Sequence, residues 1–338
     1  MTTDIDGDIA EVINAAKAGR IVYFFGAGVS AGVQGLPNGT KLSEWFTEQL
    51  WRDGKLEEPP DRASHDENSR YYDDLGDVCE ELQLSSQLYE QAFGRPRLVE
   101  ILAEQYGRVE PALHGLPHIY DRIIQCVKRK KEAGQETQPT IFFTTNFDNL
   151  LELTLERHGV EYDLLLHERM ANPAKPPDFH YRQNSSLKTN NNFERIDRLS
   201  PPNIPNKNPL VIKLHGCLQE RCVESGREKI PLTVTDQDYL SPSLYKLHEF
   251  LPVSIRLKLL DNDWLFFGYS FKDLHVRLFI RHLYQFSPSK RVPRIFAMSR
   301  GSNLLKTIRK SQGIQMIPYQ PNLFTRGLCG SGQEEQSP

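Results

Sequence analysis

The sequence has no long hydrophobic run. Across its 338 residues no apolar stretch approaches the ~20 residues that cross a bilayer, so no membrane partner is expected. Its start, MTTDIDGDIAEVINAAKAGR, is acidic and lacks a basic segment followed by an apolar one. The chain therefore reads as cytoplasmic. A basic excess is missing too. Lys and Arg number 41 against 44 Asp and Glu, a net charge of -3. That balance gives no electrostatic case for DNA or RNA, and no direct nucleic-acid partner is expected. Cysteine is scarce: Cys79, Cys126, Cys217, Cys222 and Cys329 are odd in number and scattered, as reduced thiols are. Cys217 and Cys222 have no second pair, and there is no Cys-x-x-Cys and no His-Glu-x-x-His, so no metal is expected. No Gly-Lys-Ser/Thr is present, which excludes a P-loop.

What is present is a set of short, wholly apolar runs separated by helical patterns. IVYFF (21–25), TIFFTTN (140–146), LVIKLHG (210–216), WLFFGYS (264–270) and RIFAMS (294–299) read as strands, RIFAMS being the last. LTVTDQDYL begins as a strand and enters a helix running to about 260. Helical spacing marks 8–18, the region around Trp45, several segments up to about 135, and NLLELTLERHG after the second strand. Strands apolar on both faces that alternate with helices predict an α/β fold. The expected form is a Rossmann-like, mostly parallel sheet with helices on both faces and a mostly helical insertion at about 40–135. Residues 52–72 are polar and read as a loop. Residues 168–208, with Asn190-Asn191-Asn192 and Pro201-Pro202, read as a polar excursion without packed elements. Residues 1–325 are taken as one domain and 326–338 as a disordered tail.

In such sheets ligands sit at the carboxyl ends of the strands, and the unusual polar residues gather there. GAGVSAG puts Gly26, Gly28 and Gly32 between strand and helix, where glycines let backbone N–H groups approach a phosphate. A tight turn alone would also explain them. The dinucleotide fingerprint G-x-G-x-x-G fails at Ala31, and the region about 20 residues on is an amphipathic helix rather than a strand with an acidic end. In TTNFDN, Asn146 and Asp148 either cap the next helix or present an amide and a carboxylate to a sugar, water or carboxamide. His215 stands at a strand end beside Gly216, and an imidazole there can take a proton from a hydroxyl or a water. Gly268 and Ser270 repeat the pattern, as a ribose or phosphate contact or as a helix cap.

In this order, over roughly 20–300, the four motifs resemble the sirtuin-like superfamily in its bacterial NAD+-hydrolase branch. GAG-x-S is matched by Gly26, Ala27, Gly28 and Ser30, Asn-x-Asp by Asn146 and Asp148, the catalytic histidine by His215 in KLHG, and the later Gly-x-Ser by Gly268 and Ser270. The chain departs from protein deacylases in lacking their two cysteine pairs, and hence their zinc ribbon. It has five residues from Ser30 to Gly35 where four are usual, Asn38-Gly39-Thr40 after Pro37, and Thr145 where glutamine normally stands. The late Asn-x-Glu adenosine contact has no clear match near Ser299. The resemblance implies NAD+ as substrate and no metal. Gly26, Ala27, Gly28 and Ser30 would hold the pyrophosphate, and Thr145, Asp148, Gly268 and Ser270 would complete the pocket. Asn146 would orient the ribose or the water, and His215 would act as base while oxocarbenium-like charge develops on the sugar. It implies a gated NAD+ glycohydrolase of antiphage defence, acting as a homo-oligomer, with a partner ATPase or helicase or a phage-derived trigger. A non-catalytic NAD+ or ADP-ribose sensor and an NAD-dependent deacylase remain the alternatives. The loops at 52–72 and 168–208 are the expected places for gating or assembly contacts.

Overall fold

The computed structural model describes residues 3–31, 33, 36–56, 81–107, 118–135, 138–168, 179–185, 193–196, 208–218, 223–224, 227–228, 231–240, 251–271, 274–285, 293–299, 310, 313–318 and 321–329. The apolar runs become strands β1 (Ile21–Phe25), β2 (Ile141–Thr144), β6 (Leu210–Lys213), β9 (Asp263–Phe267) and β10 (Ile295–Ser299). They join β3 (Tyr162–His167), β4 (Phe179–Ser185), β5 (Glu194–Ile196) and β11 (Ile314–Pro318) in one nine-stranded sheet, ordered β11-β10-β9-β1-β2-β6-β3-β4-β5. Seven neighbours from β11 to β3 pair in parallel, and β4 and β5 add antiparallel at one edge. A small hairpin, β7 (Val223–Glu224) and β8 (Arg227–Glu228), stands apart.

Alternation along β1 explains why its five residues are all apolar. Ile21, Tyr23 and Phe25 enter one core cluster, while Val22 and Phe24 enter the cluster on the opposite face. The first face is covered by α1 (Thr3–Lys17), α6 (His118–Glu132), α7 (Leu150–Arg157) and α11 (Pro321–Cys329). The second is covered by α9 (Val253–Asp261) and α10 (Leu274–Gln285). Between β1 and α6 lie the four-residue α2 (Ala27–Ser30), α3 (Gly39–Arg52), α4 (Leu82–Phe93) and α5 (Arg95–Gly107). Asn38 caps α3 by accepting from the Lys41 N–H at 2.8 Å. Leu42, Phe46 and Leu50 of α3 pack with Tyr89, Leu98 and Leu102 into a third cluster, which also takes in Phe147, Leu232 and Val234. The helical insertion is thus anchored on loops at the carboxyl edge of the sheet.

Several expectations are corrected. β4 and β5 lie inside 168–208. Phe179 and Tyr181 are buried on alternate positions of β4, enough apolar area to pair it with β3 although its sequence, FHYRQNS, is polar overall. RIFAMS is not the last strand, because β11 pairs in parallel outside it. β11 ends at Pro318, and proline is tolerated at a sheet edge. Residues 231–234 form no strand, and the helix that follows is only α8 (Asp236–Tyr239). Pro252 precedes α9, and 241–250 lie outside the described residues. Helix α11 runs through Cys329, so 326–329 are helix rather than the disordered tail expected there, and 330–338 lie outside the described residues. Most of the 52–72 loop, from 57 on, lies outside them as well. Cys217 is a buried thiol outside any disulfide, but Cys126 is disulfide-bonded, which overturns the expectation of reduced thiols at that position. The scatter of cysteines along the sequence carried no spacing from which a pairing could be read. No described helix is long and apolar enough to cross a membrane.

Candidate active site

Strands β9, β1, β2 and β6 are consecutive neighbours in the sheet, although β6 and β9 are far from β1 in sequence. Their carboxyl ends therefore bring the four motifs together. From β1 the chain proceeds to β2 on one side, and only later crosses to β9 on the other. The cleft lies at this switch of direction, as in other open α/β sheets. It has a volume of about 380 Å3, within the ~300–1,000 Å3 typical of small-molecule sites. Ala27, Gly28, Ser30 and Thr145 line it, as do Asn146, Asp148, His215, Gly268 and Ser270. Gly26 lies behind this wall and contributes its carbonyl oxygen, which accepts from Asn146 Nδ2 at 3.2 Å.

The glycines serve an end other than the one expected. The N–H of Gly26 donates to Phe267 O and that of Gly28 to Gly268 O, each at 2.9 Å. These two N–H groups are therefore not phosphate donors. A Cβ on Gly26 or Gly28 would stand 2.7 or 2.8 Å from Gly268 O, and one on Gly268 would stand 2.4 Å from Val29 N. Gly268 also has φ +58°, a conformation costly for side-chain-bearing residues. The β1 and β9 loops interlock backbone to backbone, and any side chain there would push them apart.

The β1 and β2 loops are tied by side chains. Thr144 Oγ1 donates to Phe25 O at 3.0 Å and accepts from the Asn146 N–H at 3.0 Å. Asn146 Nδ2 also donates to Ser30 Oγ at 3.0 Å. Its Oδ1 is buried with no hydrogen-bond partner, so the amide keeps an unsatisfied acceptor at the cleft. Leaving a buried acceptor unpaired is unfavourable unless something occupies it. A hydroxyl or a water is the complementary donor for such an oxygen, so the amide suits a hydroxyl-bearing ligand. Asp148 does cap α7, accepting from the Leu150 N–H at 3.1 Å, yet it also lines the cleft beside Ser30. Burial raises its carboxyl pKa against the lowering effects of Lys213, Ser30 and the Leu150 N–H.

His215 follows β6 and is buried at the cleft, ringed by Phe147 at 6.2 Å and Tyr239 at 5.2 Å between ring centroids. Its carbonyl accepts from the Thr233 N–H at 3.1 Å. Gly216, at φ +86°, turns the chain away beneath Leu232. The backbone just before it is also held, since His167 at the end of β3 donates from Nδ1 to Leu214 O at 3.0 Å. Burial pulls the His167 pKa down to about 4, with His215 adding to the fall, so His167 is neutral at pH 7.

Four residues of this site were not anticipated. Lys213 and Glu152 form a fully buried ion pair at 2.9 Å, and Lys213 Nζ also donates to Asp148 O. Burial disfavours the Lys213 ammonium, but Glu152, Cys217 and Asp148 outweigh it and raise its pKa. Tyr120 of α6 is buried beneath the floor, close to Ser30 and Asn146. Burial, then the Asp148 charge, raises its pKa well above the usual phenol value. Tyr239 of α8 meets His215 Nδ1 at 3.3 Å. Lys213 had a signal, a charged residue within an apolar strand, which requires a buried partner. The two tyrosines had none. Among the described residues there is no group of three or more His, Cys, Asp or Glu that could hold a metal ion.

No curated protein matches the sequence. The SIR2-like domain family matches residues 140–317. This span holds β2 through most of β11 and three of the four loops at the cleft, including Asn146, Asp148, His215, Gly268 and Ser270. With more than half of its length matched, the chain belongs to the SIR2-like domain family, whose members are generally NAD+-dependent enzymes.

Proposed function

We propose that this protein is an NAD+ glycohydrolase that releases nicotinamide and ADP-ribose. The observation that carries the reading is the convergence of His215 and Asn146 on one cleft, walled by the interlocked β1 and β9 loops. NAD+ brings a glycosidic bond that is weak to cleavage, because nicotinamide departs as a neutral pyridine. The turn Gly26–Ser30, faced by Gly268 and Ser270, is the wall assigned to the phosphates and the adjoining ribose. Its glycines contribute bareness rather than N–H donors. Asp148 accepts from the nicotinamide carboxamide, beside Thr145. Ser30 holds Asn146 in place, and the free Oδ1 of Asn146 accepts from a ribose hydroxyl or the attacking water. His215 takes the proton from water as the new C1′–O bond forms and the C1′–N bond breaks. The balance is NAD+ and water to nicotinamide, ADP-ribose and one proton. Fixed polar groups around a buried sugar stabilise the positive charge that develops on it.

An enzyme of this kind depletes NAD+ if left active, so the motif resemblance supports a gated effector of bacterial antiphage defence. In that role it acts as a homo-oligomer with a partner ATPase or helicase, or under a phage-derived trigger. Incubation of purified protein with NAD+ alone tests the reaction. Nicotinamide release without any acyl-lysine peptide supports hydrolysis. Release only with such a peptide indicates a deacylase, and NAD+ or ADP-ribose binding without turnover in the presence of the trigger indicates a sensor.

A further inference from the structure

The segment 231–239 is held by the helices that stand between β1 and β2. Arg95, the first residue of α5, donates from Nη1 to Asp238 Oδ2 at 2.8 Å and from Nη2 to Leu232 O at 2.8 Å. Ser86 Oγ of α4 donates to Val234 O at 3.2 Å, and the Gln237 N–H donates to Gln87 Oε1 at 3.1 Å. Asp238 closes a capping box with Thr235 and also accepts from the Val234 N–H at 2.9 Å. Leu232 and Val234 sink into the same apolar cluster as Tyr89 and Leu98. Together these contacts fix α8, a helix too short to hold itself. Its last residue, Tyr239, places its phenol oxygen 3.3 Å from His215 Nδ1, with the two rings edge to face.

A neutral imidazole has one donor and one acceptor nitrogen, and the bond made by one nitrogen sets which role the other plays. We propose that Tyr239 is the positioning residue of His215. Its hydroxyl oxygen accepts the hydrogen on Nδ1, which fixes the ring and leaves the basic lone pair on Nε2. The helical insertion governs this arrangement through Arg95, Ser86 and Gln87. A movement of α4 and α5, such as a binding partner would cause, is thereby transmitted to the base. The inference rests on the role of His215 in the proposed hydrolysis, but its structural part is testable without turnover.

The test is 15N NMR of histidine-labelled full-length protein at a pH where the imidazole is neutral, with the His215 signal assigned by its loss in H215Q. The wild type is expected to show the Nδ1–H tautomer at His215. Tyr239→Phe, which keeps the ring packing, is expected to move His215 toward the Nε2–H tautomer. It should also lower kcat by about 10- to 100-fold with KM little changed, the scale expected of a misplaced reacting group. Arg95→Met is expected to give the same spectral change. Should that variant fold poorly, the Ser86→Ala/Gln87→Ala pair serves in its place. A wild-type Nε2–H tautomer, or a Tyr239→Phe spectrum identical to wild type, overturns the positioning role. Insertion variants that leave the tautomer unchanged overturn the coupling. A tautomer change in a protein that never hydrolyses NAD+ upholds the positioning and contradicts only the hydrolase reading.

Discussion

Lys213→Met isolates the buried ion pair beneath the cleft. Lys213 and Glu152 are both fully buried and 2.9 Å apart. Removing the ammonium leaves the Glu152 carboxylate without its counter-charge, and breaking such a pair costs about 3–5 kcal/mol. The Asp148 carbonyl loses its donor as well. At roughly 2–4 °C per kcal/mol for a chain of this size class, the melting temperature should fall by about 10 °C. Removing both charges, as Lys213→Met/Glu152→Leu, should recover most of that loss, because a well-packed apolar pair substitutes for a buried ion pair at little cost. Urea unfolding of the four proteins in this cycle should give a coupling energy of about 3 kcal/mol. The Lys213 pKa is raised, so its contribution is complete below the unfolded lysine value. It is lost only as pH climbs through the higher folded value, and the coupling should be the same at pH 6 and pH 8. The double variant, though stable, should still release nicotinamide poorly, because the Asp148 carbonyl has lost its Lys213 donor. Additive single effects, with coupling below about 1 kcal/mol, would refute the reasoning.

Asp148→Asn should keep the cap on Leu150 and relieve the burial of a carboxyl whose pKa is raised. Its melting temperature is expected to equal or exceed that of the wild type while nicotinamide release is lost, and a clear drop in stability at pH 7 would count against the assignment. His167 is neutral in the fold, with a pKa of about 4, whereas the unfolded chain protonates it near 6.5. Stability present above pH 6.5 is therefore lost as pH falls toward 4, about 2 kcal/mol of it between pH 7 and pH 5. His167→Gln should remove that part of the pH dependence, as read by urea unfolding at the two pH values. Gly268→Ala places a Cβ 2.4 Å from Val29 N at φ +58° and should cost about 2–4 kcal/mol from strain and clash. It should also weaken ADP-ribose binding in calorimetry, and unchanged affinity would contradict the interlocked wall.

The central strands were legible because a strand buried on both faces must be apolar throughout, as IVYFF is. The edge of the sheet was not. β4 needs only Phe179 and Tyr181 facing inward, and its remaining polar residues resemble loop. β11 has a single sheet neighbour and ends in proline. At the site, each motif was visible as a polar interruption at the end of an apolar run, and the parallel sheet explains why four such interruptions meet. The glycine turn was visible too, but its physical reason was not. Gly26 and Gly28 answer to the backbone of Gly268, more than two hundred residues away, and no local pattern records that contact. The same holds for Tyr120, which comes close to Asn146, and for Tyr239, whose hydroxyl reaches His215, both from helices placed only by the tertiary fold.

The central claim is that His215 and Asn146 act on NAD+ in one cleft. Nicotinamide release from NAD+ alone, compared among wild type, His215→Ala and Asn146→Ala at equal folded concentration, tests it most directly. The wild type should turn over, and His215→Ala should fall by roughly 10²–10⁴-fold, the usual loss for a general base, with Asn146→Ala also inactive. A His215→Ala protein that hydrolyses NAD+ at the wild-type rate would contradict the account.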